Sequence, residues 1–202
     1  MDKVNAETFR HAFASVWKDM KDASKREAII QEYAISSDWT CFMLHSRSGM
    51  LKKVCDHLRD NGFALHYGNE WYTVDVLYVS EKGMFRDDGS YPIGAHVLIE
   101  HENGERIQEE MWKLLMWRCP LKVIIFYDFN DDEKKRGGKR GDWLSTKLRM
   151  LKGMYDDAEE HFPENTVTEY LFIIGNRKDE TAFPQWRWTM IANGEMGGLR
   201  DL

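Results

Sequence analysis

Asp75, Glu100 and Glu102 are acids set in stretches that otherwise read as strand interiors. Asp75 interrupts Trp-Tyr-Thr-Val-Asp-Val-Leu-Tyr-Val at 71–79, and Glu100-His101-Glu102 closes a run that begins His-Val-Leu-Ile at 96. Side chains alternate along a strand, so Glu100 and Glu102 share one face, and pairing of the two strands brings Asp75 beside Glu100. Carboxylates so placed repel one another unless a cation holds them. Clustered carboxylate oxygens are the donors Mg2+ or Mn2+ prefers, and an ion there lowers the pKa of a bound water and stabilises charge on a phosphodiester. Asp75, Glu100 and Glu102 are the predicted ligands. Such chemistry also calls for a cation near the scissile phosphate. Lys113, on the helix after Glu102 and off its most apolar stripe, has the flexible stem to reach back over the strand ends.

Each of these residues also has a plainer reading. Asp75 fits a solvated strand end or edge. Glu100 and Glu102 fit a strand running out into the turn signal Asn103-Gly104. Lys113 can pair with Glu109 four residues earlier on the helix surface. His101 points away from the two glutamates and reads as a packed or hydrogen-bonded histidine. The run Lys134 to Arg140 is a candidate nucleic-acid contact, or a solvated loop following Asp131, Asp132 and Glu133; with Asp128, those aspartates could also collect a cation. Trp112, Trp117, Trp143, Trp186 and Trp188 are expected in packing rather than as base-stacking platforms.

The elements that must position the acids follow from periodicity and punctuation. Ala6 to Met20 carries Phe9, Phe13, Val16 and Trp17 at helical spacing, and Arg26 to Tyr33 is a shorter helix. After Ser46-Arg47-Ser48-Gly49 comes an amphipathic helix through Met50, Leu51, Val54, Cys55 and Leu58, ending at Asn61-Gly62. Strands are expected at Phe63 to Tyr67, Trp71 to Val79 and His96 to Glu102, joined by a turn at Gly68-Asn69 and a turn-rich connection from Glu81 to Gly94. A helix from Glu105 to Trp117 stops before Pro120, and Leu121 to Tyr127 is a strand buried on both faces. Asp142 caps a helix to about His161, Tyr170 to Ile174 is another buried strand, and Trp186 to Ala192 a last one. The Gly-rich tail from Asn193 is expected to be mobile.

Composition narrows the class. The chain has 202 residues, 43% hydrophobic, enough for one sizeable core, so a single domain is expected. No run approaches the roughly 20 apolar residues of a membrane span, and the opening residues lack a signal-peptide layout, so a cytoplasmic location is expected. Cys41, Cys55 and Cys119 are odd in number and widely spaced, as reduced core thiols would be. The net charge of −6 argues against a general nucleic-acid coat and leaves room for a local binding groove.

With Asp75 in the second strand, Glu100-x-Glu102 ending the third, and the order helix, three strands, helix, strand, residues 48–128 resemble the restriction-endonuclease-like PD-(D/E)XK nuclease superfamily. The resemblance implies an α/β fold with that core, an N-terminal helical cap (1–47) and a C-terminal helix-strand extension (129–202). It implies metal-binding roles for Asp75 and Glu100 and puts a catalytic lysine at position 102. Here that position is Glu102, no Pro precedes Asp75, and Lys113 would be a migrated motif lysine. Gln108, early on the following helix, would orient water or phosphate. The function implied is Mg2+- or Mn2+-dependent phosphodiester hydrolysis on DNA, for which a homodimer would suit cleavage of both strands. Loss of the motif lysine also fits an inactive module of the same fold that binds protein or nucleic acid.

Overall fold

The computed structural model describes residues 3–21, 23–80, 94–164 and 167–202. Apart from Gly94, the predicted connection from Glu81 lies outside the described residues. Four helices come first: α1 (Ala6–Met20), α2 (Ala23–Ala34), α3 (Ser36–Leu44) and α4 (Met50–Asp60). Asn5 caps α1 by accepting from the Thr8 N–H, and Phe9, Phe13, Val16, Trp17 and Met20 form its buried face. Periodicity did not disclose α3, because its apolar residues crowd one half of the helix and of these only Trp39 and Met43, four apart, are buried. Cys41 lies on its exposed side, which corrects the expectation of three core thiols. Cys55 and Cys119 are buried, and burial pushes both thiols up to about 12.

The remaining elements are β1 (Leu65–Trp71), β2 (Val74–Ser80), β3 (Ala95–Glu102), α5 (Ile107–Leu115), β4 (Leu121–Tyr127), α6 (Asp131–Lys135), a 3-10 turn at Gly138–Arg140, α7 (Trp143–His161), β5 (Glu169–Asn176), β6 (Gln185–Ala192), β7 (Glu195–Met196) and β8 (Arg200–Asp201). All eight strands join one sheet in the order β1-β2-β3-β4-β5-β6-β7, with β8 also on β6. The first three strands form an antiparallel meander. The crossovers through α5 and α7 make β3, β4 and β5 parallel, and β6 turns back antiparallel.

Strand alternation divides the side chains between two cores. Val76, Tyr78, Val97, Ile99, Val123 and Ile125 pack beneath α1 to α4, while Leu77, Leu98, Ile124, Phe126 and Phe172 pack beneath α5 and α7. Asp75 and Glu100 therefore belong to the α5 and α7 face, and His101 to the other.

Three expectations need correction. Gly68 and Asn69 do not turn: Gly68 pairs with Leu77 inside the ladder, and the hairpin closes at Tyr72-Thr73, between the paired Trp71 and Val74. Tyr72 takes a φ of 54° there, a conformation ordinarily left to glycine, which is why composition pointed elsewhere. The tail is paired rather than loose, since β7 and β8 both bond to β6. The loop after β4 contains α6, nucleated by a reciprocal capping box between Asn130 and Glu133.

Gly175 is fixed by close approach. A Cβ there would lie 2.5 Å from the Tyr127 ring and 3.0 Å from Trp186, both cross-strand partners. Gly175→Ala is expected to destabilise the protein by about 1–3 kcal/mol through overpacking, seen as a lower denaturant midpoint with an unchanged slope.

Candidate functional site

The antiparallel register pairs Val76 with Ile99, so Asp75 and Glu100 stand opposite each other one step further along. Asp75 Oδ2 accepts the His101 backbone N–H at 2.8 Å, which fixes its carboxylate against β3. Glu100 is fully buried. Its Oε2 accepts from Lys113 Nζ at 2.9 Å, and its Oε1 has no hydrogen-bond partner. Lys113 reaches back from α5, one of the two placements its position allowed, and also donates to the Thr73 carbonyl at 3.1 Å and pairs with the Glu110 carboxylate. Its side chain keeps 27% exposure. Glu109, the partner expected from helical spacing, faces Arg106 instead.

Burial is the main force on the acids. It raises the Asp75 carboxyl above its ordinary value against the opposing pull of the His101 N–H and the Lys113 charge. It raises Glu100 well above the carboxylate range; Lys113 pulls it down, while the Asp75 charge and the Glu110 side chain push it further up. Hydrogen bonds to Glu110 and Glu100 raise Lys113 against the opposing effect of its own burial.

Glu102 shares the face of Glu100, yet it is turned away from the cluster. Its Oε1 accepts the Gly104 N–H, an approach that a side chain at 104 would obstruct, since a Cβ there would sit 2.8 Å from that oxygen. The structure thus brings together Asp75, Glu100 and Lys113, while Glu102, the last residue of β3, gives its carboxylate to the following turn. Glu110 is the member that sequence reasoning missed. The available signal was its spacing of three from Lys113, which puts both on one helix face. Among the described residues no three His, Cys, Asp or Glu side chains are placed together to hold an ion.

The neighbouring residues also have assignments. Gln108 accepts from Lys147 at 3.3 Å, and Lys147 also bonds the Glu105 carbonyl at 2.7 Å, tying α7 to the start of α5. His101 and the Tyr127 hydroxyl lie 2.6 Å apart, and that hydroxyl accepts the Trp39 indole N–H at 2.5 Å. A chain of polar contacts thereby links α3 to the strand that carries Glu100. Segment 128–142 holds five acids and five bases, and Lys134 and Lys135 pair with Asp128 and Asp132. Asp128 is buried against Lys134 and Arg187. Trp143, Trp186 and Trp188 are buried, while Trp112 stands 61% exposed. A largely apolar cavity of about 620 Å³ lies at the far end of α5, bordered by Trp112, Met116, Met154, Phe162 and Tyr170, and includes neither Asp75 nor Glu100. No helix among the described residues is long and apolar enough to cross a membrane.

Known proteins add little to this geometry. No family model matches the chain, and no curated protein matches it. Among solved structures it is similar to the central domain of yeast acetyl-CoA carboxylase, at 11% identity and a TM-score of 0.37, over 94% of this chain and 33% of that one. The chain thus spans about a third of that protein, and the likeness carries no argument about function. The architecture is a mixed α/β sheet with helices on both faces.

Proposed function

We propose that the chain is a divalent-metal-dependent phosphodiesterase of nuclease type that acts on DNA, with a restriction-endonuclease-like core. The observation that carries this reading is the 2.9 Å contact of Lys113 Nζ with Glu100 Oε2, beside Asp75 on the adjoining strand. It supplies a cation and two acids on one sheet face, after the order α4, three-strand meander, α5, β4. The donor set suits a hard ion. Mg2+ is commonly held by one or two carboxylates plus substrate phosphate, and Glu100 Oε1 is a buried oxygen that accepts from no donor and lies beside the Asp75 carboxyl. Asp75 and Glu100 would hold the ion, whose contribution when bound is to acidify a water and to offset phosphate charge. His101 orients Asp75 through its backbone N–H. Lys113 offers positive charge to a phosphate at the hairpin tip, where it touches Thr73. Glu102 serves the turn at Gly104 and takes no part in the reading.

A second reading is an inactive module of the same fold that binds protein or nucleic acid. It is favoured by Glu102 standing where the resemblance calls for lysine. Calorimetric titration of Mn2+ into the wild type and Asp75→Ala, with a DNA oligonucleotide present, separates the two. Saturable binding lost in the variant is the expected result, followed by metal-dependent cleavage in a substrate screen. A folded wild type that takes up no ion under these conditions transfers the assignment to the binding module.

A further inference from the structure

The arrangement around Lys113 resembles a coordination shell filled by an ammonium. An ammonium has three donors and no acceptor, and here the groups beside it are Glu100 Oε2, the Glu110 carboxylate and the Thr73 carbonyl. Those groups come from β3, from α5 itself and from the β1–β2 hairpin, so the amine sits where three elements converge on one cation. Glu100 is fully buried, its Oε1 accepts from no donor, and its carboxyl lies within hydrogen-bonding reach of Asp75. The amine therefore touches only part of a group of acids that also includes Asp75. Asp75 lies close enough for its charge to act on Glu100 and for the Lys113 charge to act on it.

We propose that Lys113 is the resting occupant of the cation position, and that a divalent ion enters by exchange with the Lys113–Glu100 contact. This rests on the function proposed above. The amine lies against Glu100 and leaves Asp75 to the His101 N–H, whereas a divalent ion reaches Asp75 and Glu100 together and displaces the proton that burial otherwise keeps on Glu100. The ion and the ammonium repel at contact distance, so the ion enters only as the amine withdraws. Withdrawal needs only rotation of the lysine stem, which is already 27% exposed. Glu110, three residues earlier on the same helix, keeps the freed amine at the mouth of the site. Glu110 is then a positioning residue for Lys113, and the lysine excluded from Glu100 is the charge left for a phosphate.

The test reads Lys113 itself. The wild type is treated with a water-soluble acetylating ester, with and without Mn2+, and the acetylation rate of each lysine is followed by peptide mass spectrometry while calorimetry reports ion uptake. Lys147, held by the Glu105 carbonyl and Gln108, is the internal control. Saturating Mn2+ should raise Lys113 acetylation severalfold, leave Lys147 unchanged, and have no effect in Asp75→Ala. In Glu110→Gln, Lys113 should react faster than in the wild type before any ion is added. Mn2+ uptake with an unchanged or lower Lys113 rate overturns the exchange and leaves the metal-dependent reading standing. Absence of Mn2+ uptake, with the same DNA oligonucleotide present, removes both.

Discussion

Glu164→Ala should destabilise the protein by about 3–5 kcal/mol, the range for stranding one member of a buried ion pair. Lys122 lies in the middle of the sheet, fully buried, on the face beneath α5 and α7. It is the single charged residue in the stretch Leu121 to Tyr127, which otherwise reads as continuously apolar. Its amine pairs with Glu164, donates to the Tyr170 hydroxyl at 2.9 Å, and lies 4.9 Å from the centre of the Tyr170 ring. Glu164 also accepts from the Thr168 hydroxyl, so one carboxylate ties the residues before β5 to β4. Burial already lowers the Lys122 pKa, and without Glu164 the amine would shed its proton or draw in water, which keeps the loss near the lower end of that range. Lys122→Met should cost far less, because an apolar side chain of similar length needs no partner. The double variant should recover most of the loss, a coupling measurable by denaturant unfolding. If Glu164→Ala costs less than about 1 kcal/mol, the pair behaves as a solvated one.

Glu100→Gln should remove a fall in stability that the wild type shows as pH rises from about 6.5 to 8.5. The direction follows from proton counting. Burial raises Glu100 in the folded chain, so above its ordinary 4.5 the unfolded chain has lost a proton that the folded chain retains. Stability then declines by about 1.4 kcal/mol per pH unit until the folded carboxyl ionises. Asp75, raised by its own burial, acts in the same direction in the window just above its ordinary value of 3.8. His101 acts oppositely. Burial lowers it to about 3 from 6.5, so its contribution grows with pH up to about 6.5 and is constant above. Below that point the two slopes oppose each other. Above it Glu100 dominates, so the wild-type curve should descend across the window while Glu100→Gln stays nearly level. Parallel curves would show that Glu100 ionises in the folded chain as easily as in water.

The sequence by itself determined which acids interrupt the strands and which of them share a strand face. The period of two fixes that Glu100 and Glu102 share a face and allows Asp75 to meet them, while the β2–β3 register that sets Asp75 opposite Glu100 came from the strand pairing. Lys113 was legible for the same kind of reason, since a helix returning over a strand carries a long side chain back to that strand's end. Most helices and strands were also legible, because their apolar residues recur with the period of the element. Tertiary structure decided the rest. The fate of Glu102 depended on a two-residue turn in which Gly104 admits its carboxylate, a local competition that strand alternation does not contain. Glu110 joined the site because α5 docks with that face toward Glu100, and helix spacing alone leaves the docking angle free. Gly68 looked like a turn and lies within a ladder, while Tyr72 turns in a conformation its side chain disfavours, because cross-strand packing outweighed local preference. Charge in the interior was the least legible feature. Whether Lys122, Glu100 and Asp128 are buried is set by what the rest of the chain places over them, and their partners come from elements distant in sequence.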